Sequence, residues 1–261
     1  VNATTTLVEV CLSDPESALR AFRGGAGRVE MCSDLASGGV TSGPDVIEST
    51  IEARRQEFGS DAGGVVALLR PRPGDFCYSG LEYRALERGI AFAKKAGCQA
   101  VALGVLLADG HVDVDRTRRL VELARPMEVT FHRAFDLTPN VDEAFDALLD
   151  VGVDRVLTSA GAPSAWDGRD KLRALAARAP DRITVVTAGA ITLENAPALV
   201  KHTGALEIHV GSAVSEPSPE PDSAPRSSVG LGPRGRPTAS HELHVSTDAV
   251  RRLVRSLGDS E

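Results

Sequence analysis

Aromatic side chains are scarce in this chain, at 4% of 261 residues, with a single tryptophan. A core must therefore be filled by Val, Leu, Ile and Ala, and a hydrophobic fraction of 42% is large enough to do it. Long apolar runs are also missing. None approaches the ~20 residues of a membrane-spanning helix, so no membrane partner is expected. The opening residues V-N-A-T-T-T carry neither a basic nor an apolar stretch and give no secretion signal. Cysteine is limited to Cys11, Cys32, Cys77 and Cys98, too few for a disulfide framework in a chain of this size. The reading is a cytoplasmic protein with reduced thiols. A clustered basic face is absent too: net charge is -7 with both signs interleaved, which argues against a nucleic-acid partner.

What is present is one grammar repeated eight times: a short β-branched run, a polar or glycine-rich end, then an amphipathic helix. Strands are predicted over residues 7–12, 28–32, 65–70, 100–106, the stretch 129–136 with its apolar pattern ending in His132 and Arg133, 155–159, 183–187 and 206–210. Helix one begins after the cap Ser13-Asp14-Pro15 and stops at Gly24-Gly25. The others are predicted over about 45–58, 82–96, 113–125, 141–151 with Gly152 as C-cap, 170–178, 193–202 and 247–257. Such even alternation predicts an α/β chain forming one domain over residues 1–261, a single (β/α)8 TIM barrel. Residues 213–244 break the rhythm. They are rich in Pro, Ser and Gly and form an insertion after strand eight, read as a flexible loop, a lid over the mouth or a segment without a role.

Side chains alternate along a strand, so Glu9 and Cys11 share the inward face, as do Glu30 and Cys32, while Val8, Val10, Val29 and Met31 face the helices. Buried carboxylates need partners, expected among Arg70, Arg72, His132 and Arg133. His209 ends strand eight beside strand one. Two uses compete for these groups. Two thiolates on neighbouring strands could hold a thiophilic ion such as Cu(I) in two-coordinate fashion, with Cys98 structural and Cys77 in a mouth loop. Alternatively, Glu9 or Glu30 is a base and His132 or His209 an acid acting on a small anionic substrate, with Arg70, Arg72, Arg133, Asp136 and Ser159 around it. The glycine amides of Gly189 and Gly211 stand where barrel enzymes often cradle phosphate. No organic cofactor is indicated.

The motifs L-V-E-V-C-L, R-V-E-M-C, S-G-G-V-T, L-R-P-R-P-G-D-F-C-Y, F-H-R-A-F-D, R-V-L-T-S-A-G and E-I-H-V-G-S-A, in this order, resemble the CutC family from residue 7 to about 213 and in the last helix. The resemblance implies a cytoplasmic (β/α)8 barrel, a homo-oligomer (dimer or tetramer), named for copper homeostasis and binding Cu(I). The positions matching the family's proposed Cu(I) ligands are Cys11 and Cys32. The alternative left open is a lyase, aldolase or isomerase acting on a small phosphorylated or carboxylated compound.

Overall fold

The structure is a computed structural model and describes residues 6–59, 63–217 and 243–258. At its centre lie the parallel strands β1 (Leu7–Leu12), β2 (Arg28–Ser33), β3 (Gly64–Leu68), β4 (Ala100–Leu103), β5 (Glu128–Phe131), β6 (Arg155–Thr158), β7 (Thr184–Ala188) and β8 (Glu207–Val210). Each strand pairs in parallel with the next, and β8 returns to pair with β1, so the sheet has no edge. This is the expected closed (β/α)8 barrel. Around it run α1 (Pro15–Arg23), α2 (Pro44–Phe58), α3 (Gly80–Ala96), α4 (Val114–Ala124), α5 (Val141–Val151), α6 (Arg169–Arg178), α7 (Ala196–Thr203) and α8 (Thr247–Gly258).

Local chemistry explains the boundaries. Asp14 accepts from the Ser17 amide at 2.8 Å and Pro15 opens α1, so both start signals act where the sequence places them. Helix α3 starts two residues before the expected 82 because Ser79 and Glu82 close a capping box, each binding the other's backbone amide. Strand β4 stops at Leu103 rather than running to 106. A Cβ on the next residue, Gly104, would lie 2.6 Å from the His132 ring, so glycine is required where that imidazole crosses the strand end. Leu106 then bridges to Val112 instead. The loop after β2 holds a two-residue strand, Val40–Thr41, antiparallel to Cys32 and Ser33, which the sequence does not announce. The ends of the 213–244 insertion are also ordered as strands: Ser215–Pro217 pairs antiparallel with Leu243–Val245. The lid reading falls on residues 218–242 and lies outside the described residues.

The alternation along β1 and β2 sorts the side chains as expected. Val8, Val10, Val29 and Met31 join the helix residues Ala18, Ile47, Leu86 and Leu253 in one apolar shell. Each fully buried Val, Leu or Ile contributes ~1.5–3 kcal/mol, so this shell is the main source of stability. The barrel interior is smaller in apolar content: Val66, Leu68, Ala100 and Ala102 pack with Cys32, and Leu157, Val186 and Ala188 form a separate group. The rest of the interior is polar, and that division positions the site.

Candidate functional site

Four charged residues open their strands on the inner face: Arg28 in β2, Glu128 in β5, Arg155 in β6 and Glu207 in β8. They close the floor of the barrel. Arg28 Nη1 donates to Glu207 at 2.7 Å and to Glu9 at 3.2 Å, while Arg155 donates to Glu128 at 2.5 Å and reaches Glu207 at 3.2 Å. Glu9 thus finds its cation in Arg28, not in the mouth arginines expected from the sequence. The carboxylates beside Arg28 more than offset its burial and hold its guanidinium charged. Alternation could have put Arg28 and Glu207 on the inner face, since Arg28 shares a face with Glu30 and Glu207 shares one with His209.

Above the floor the thiols, carboxylates and imidazole meet. Glu9 Oε1 lies 2.7 Å from His209 Nδ1, and His209 Nε2 lies 4.0 Å from Glu30. The Sγ atoms of Cys11 and Cys32 are 3.1 Å apart, and Cys32 Sγ also donates to the Leu12 carbonyl at 3.5 Å. Ligand atoms of Cys11, Glu30 and His209 all lie within 4.8 Å of one another. The hydrogen bond to Cys32, then burial, then the Glu30 charge push the Cys11 thiol well above its ordinary value. Burial raises Glu30, helped by the neighbouring Glu9 and opposed by His209. Glu9 goes the other way: its burial is outweighed by His209 and Arg28, which lower it. Burial pulls His209 down, but the bond to Glu9 and the charges of Glu30 and Glu9 leave it raised.

A second group surrounds a cavity of about 110 Å³ that shares Cys11, Glu30 and His209 with the first and adds Arg70, His132 and Arg133. His132 is 5% exposed and packs against Phe76 with ring centroids 4.9 Å apart. Its Nδ1 accepts from the Ala134 amide at 3.3 Å, so the neutral ring carries its hydrogen on Nε2, which has no partner among the described residues. Burial and the Arg70 charge drop His132 to about 3. A histidine lowered in the fold stabilises fully above the unfolded value of ~6.5, and that contribution is lost as pH falls toward the folded value. Between pH 6 and 4 the protein is expected to lose stability from this group by on the order of 1 kcal/mol per pH unit. Urea denaturation at a series of pH values should show that slope in the native protein and its loss in His132→Gln. An unchanged slope would contradict a neutral buried ring.

A profile of the CutC family matches residues 6–214. The chain belongs to the CutC family. It is 35% identical over 257 residues to a CutC family protein of Caulobacter vibrioides, covering 97% of this chain and all of the relative. It is 39% identical over 212 residues to a mouse protein named copper homeostasis protein cutC homolog, covering 81% of this chain and 75% of that one. The solved structure of CutC from Streptococcus agalactiae superposes with a TM-score of 0.72 at 30% identity, covering 79% of this chain and 98% of that one. A phosphoribosylanthranilate isomerase of Thermotoga maritima, at 13% identity and a TM-score of 0.57 over 97% of this chain and 98% of its own, shares the fold.

Within this CutC barrel the other candidates divide. Arg133 lines the cavity, its Nε donating to Asp136 at 2.7 Å and its Nη2 to Ser159 Oγ at 3.0 Å. Asp136 also accepts from the amides of Ser159 and Gly161 at 3.1 and 2.9 Å and from the Thr158 hydroxyl. Its oxygens are occupied in fixing the turn after β6, which makes it a support for Arg133. Gly189, at φ +109°, sits against Ser159 and the Arg133 guanidinium, while Gly211 lies near Cys11 and lines, with it, a further cavity. Arg72 is not brought to the site: it pairs with Glu82 at 2.5 Å and Asp75 at 3.0 Å in the loop after β3. Cys77 donates to the Leu107 carbonyl at 3.0 Å, and Cys98 is buried under the helices with its thiol raised to about 12 by desolvation.

Proposed function

We propose that this protein binds Cu(I) through Cys11 and Cys32 and serves copper homeostasis, as the name of its mouse relative says of that protein. The observation that carries the reading is the thiol pair, with Sγ atoms 3.1 Å apart and facing the side on which Glu9 holds His209. Thiolates are the soft ligands that Cu(I) prefers. A carboxylate on one imidazole nitrogen orients the other toward a metal, and Glu9 stands in that relation to His209 Nε2. Metal–thiolate bonds of ~2.3 Å set linear partners ~4.6 Å apart. A trigonal site would set them ~4.0 Å apart, so in either arrangement the sulfurs must separate from their present 3.1 Å, and His209, grouped with Cys11, is placed to supply a third ligand. All four cysteines are free thiols, so both candidate ligands are available to a metal.

Binding must displace the proton of the raised Cys11 thiol, so affinity should climb with pH. Titration of the reduced protein with Cu(I) against a competing chelator is expected to give one ion per chain. Between pH 6 and 8 the affinity should rise about tenfold per pH unit for each proton displaced. A stoichiometry of zero, or an affinity flat across that range, would remove thiolate ligation.

A further inference from the structure

Arg70 is a buried cation without a counter-charge. It is 8% exposed, and its guanidinium donates only to carbonyls: Ser37 at 3.0 Å and Gly39 at 2.9 Å through Nη1, and Gly74 at 3.0 Å through Nη2. Among the described residues no carboxylate lies within ion-pair distance of it and its Nε has no partner. Burying an unpaired charge is costly, so such a group marks a place where an anion belongs. His132, lining the same cavity, presents a second buried donor, Nε2–H, without an acceptor. At the rim Arg133 is 45% exposed, and its Nη1 makes no hydrogen bond among the described residues. Arg70, His132 and Arg133, from the turns after β3 and β5, thus all line one small space.

The space does not end there. The cavity adjoins an outer one of about 450 Å³ that shares Cys11, Gly38 and His209 with it. The outer walls include Leu12, Leu35, Leu243 and Val245. An anionic head in the inner cavity would leave its apolar body against these side chains. The inner cavity also contains Glu30, and any negative charge on it would repel the dianion of a phosphate more than a carboxylate carrying one charge. We propose that the mouth binds a small organic acid with an apolar tail, its carboxylate taken by Arg70, His132 Nε2–H and Arg133 and its tail by the outer cavity. This site is independent of copper: it uses neither thiol as a ligand and is available in the metal-free protein.

The test is calorimetric titration of the full chain, with a Cu(I) chelator present, using acetate, hexanoate, hexanol and inorganic phosphate as probes. Hexanoate should bind once per chain and at least tenfold more tightly than acetate, since burying each methylene favours binding. Hexanol and phosphate at the same concentrations should fail to displace it. Arg133→Gln, altered at an exposed position, should weaken hexanoate about tenfold, and His132→Leu should do the same. Should His132→Leu fold poorly, the NMR signal of the His132 Nε2 proton in the native protein decides, because hexanoate must shift it downfield. Hexanoate binding no tighter than hexanol, phosphate bound in preference, an unmoved Nε2 proton, or equal affinity in Arg133→Gln would each overturn the proposal.

Discussion

Replacing Cys11 and Cys32 together by serine is expected to lower Cu(I) affinity at least a thousandfold while leaving the melting temperature nearly unchanged. A serine hydroxyl stays protonated near neutral pH and is a hard donor, so it replaces neither the charge nor the softness of a thiolate. A thousandfold is ~4 kcal/mol, a modest share of what two metal–sulfur bonds supply. The fold should tolerate the change because serine is slightly smaller than cysteine and the Leu12 carbonyl and the facing side chain remain as partners. Each single exchange should cost less than the pair. Glu9→Gln, which keeps the shape but loses the charge behind His209, should weaken binding by about 10–100-fold. If the double variant holds Cu(I) within threefold of the native protein in the same chelator competition, the ligands lie elsewhere.

The second large effect is on stability. Arg28 is 3% exposed in its side chain and bridges Glu9 and Glu207, whose side chains are 3% and 13% exposed. Arg28→Met is expected to destabilise the protein by ~3–5 kcal/mol, the usual cost of stranding buried charge by removing its partner. Urea denaturation at neutral pH would show it as a fall in midpoint at constant slope. Arg28→Met combined with Glu207→Gln should recover part of the loss, because fewer carboxylates are then left unpaired. A single-variant loss below ~1 kcal/mol would mean that water reaches these ions and that the floor is not sealed.

Much of this architecture was legible before any coordinates. The eight strand–helix units, the C-cap at Gly152 and the inward face shared by Glu9, Cys11, Glu30 and Cys32 follow from periodicity alone, because alternation leaves no choice once one face is apolar. The partners of those groups were not legible. Arg28 and Glu207 are 179 residues apart and meet only because β1 pairs with both β2 and β8. A charged residue at a strand start ordinarily faces solvent; alternation puts Arg28 and Glu207 on the inner face but does not show that they pair. Asp136 misled in the opposite sense. Next to Arg133 at a strand end it reads as ligand-facing, but its oxygens are occupied by the amides of Ser159 and Gly161. Arg72 sits one turn of loop from Arg70 in R-P-R-P and reads as its equal, yet only Arg70 turns inward. Loop direction depends on which carbonyls lie nearby, and spacing carries no record of that.

The sealed floor has a kinetic corollary. With Glu128, Arg155, Glu207 and Arg28 paired across the strand starts, passage through this end of the barrel would have to break buried ion pairs. Whatever enters leaves by the way it came, so a cation and an organic acid would queue at one doorway. A protein that delivers or collects such cargo would dock against the C-terminal rim of the strands.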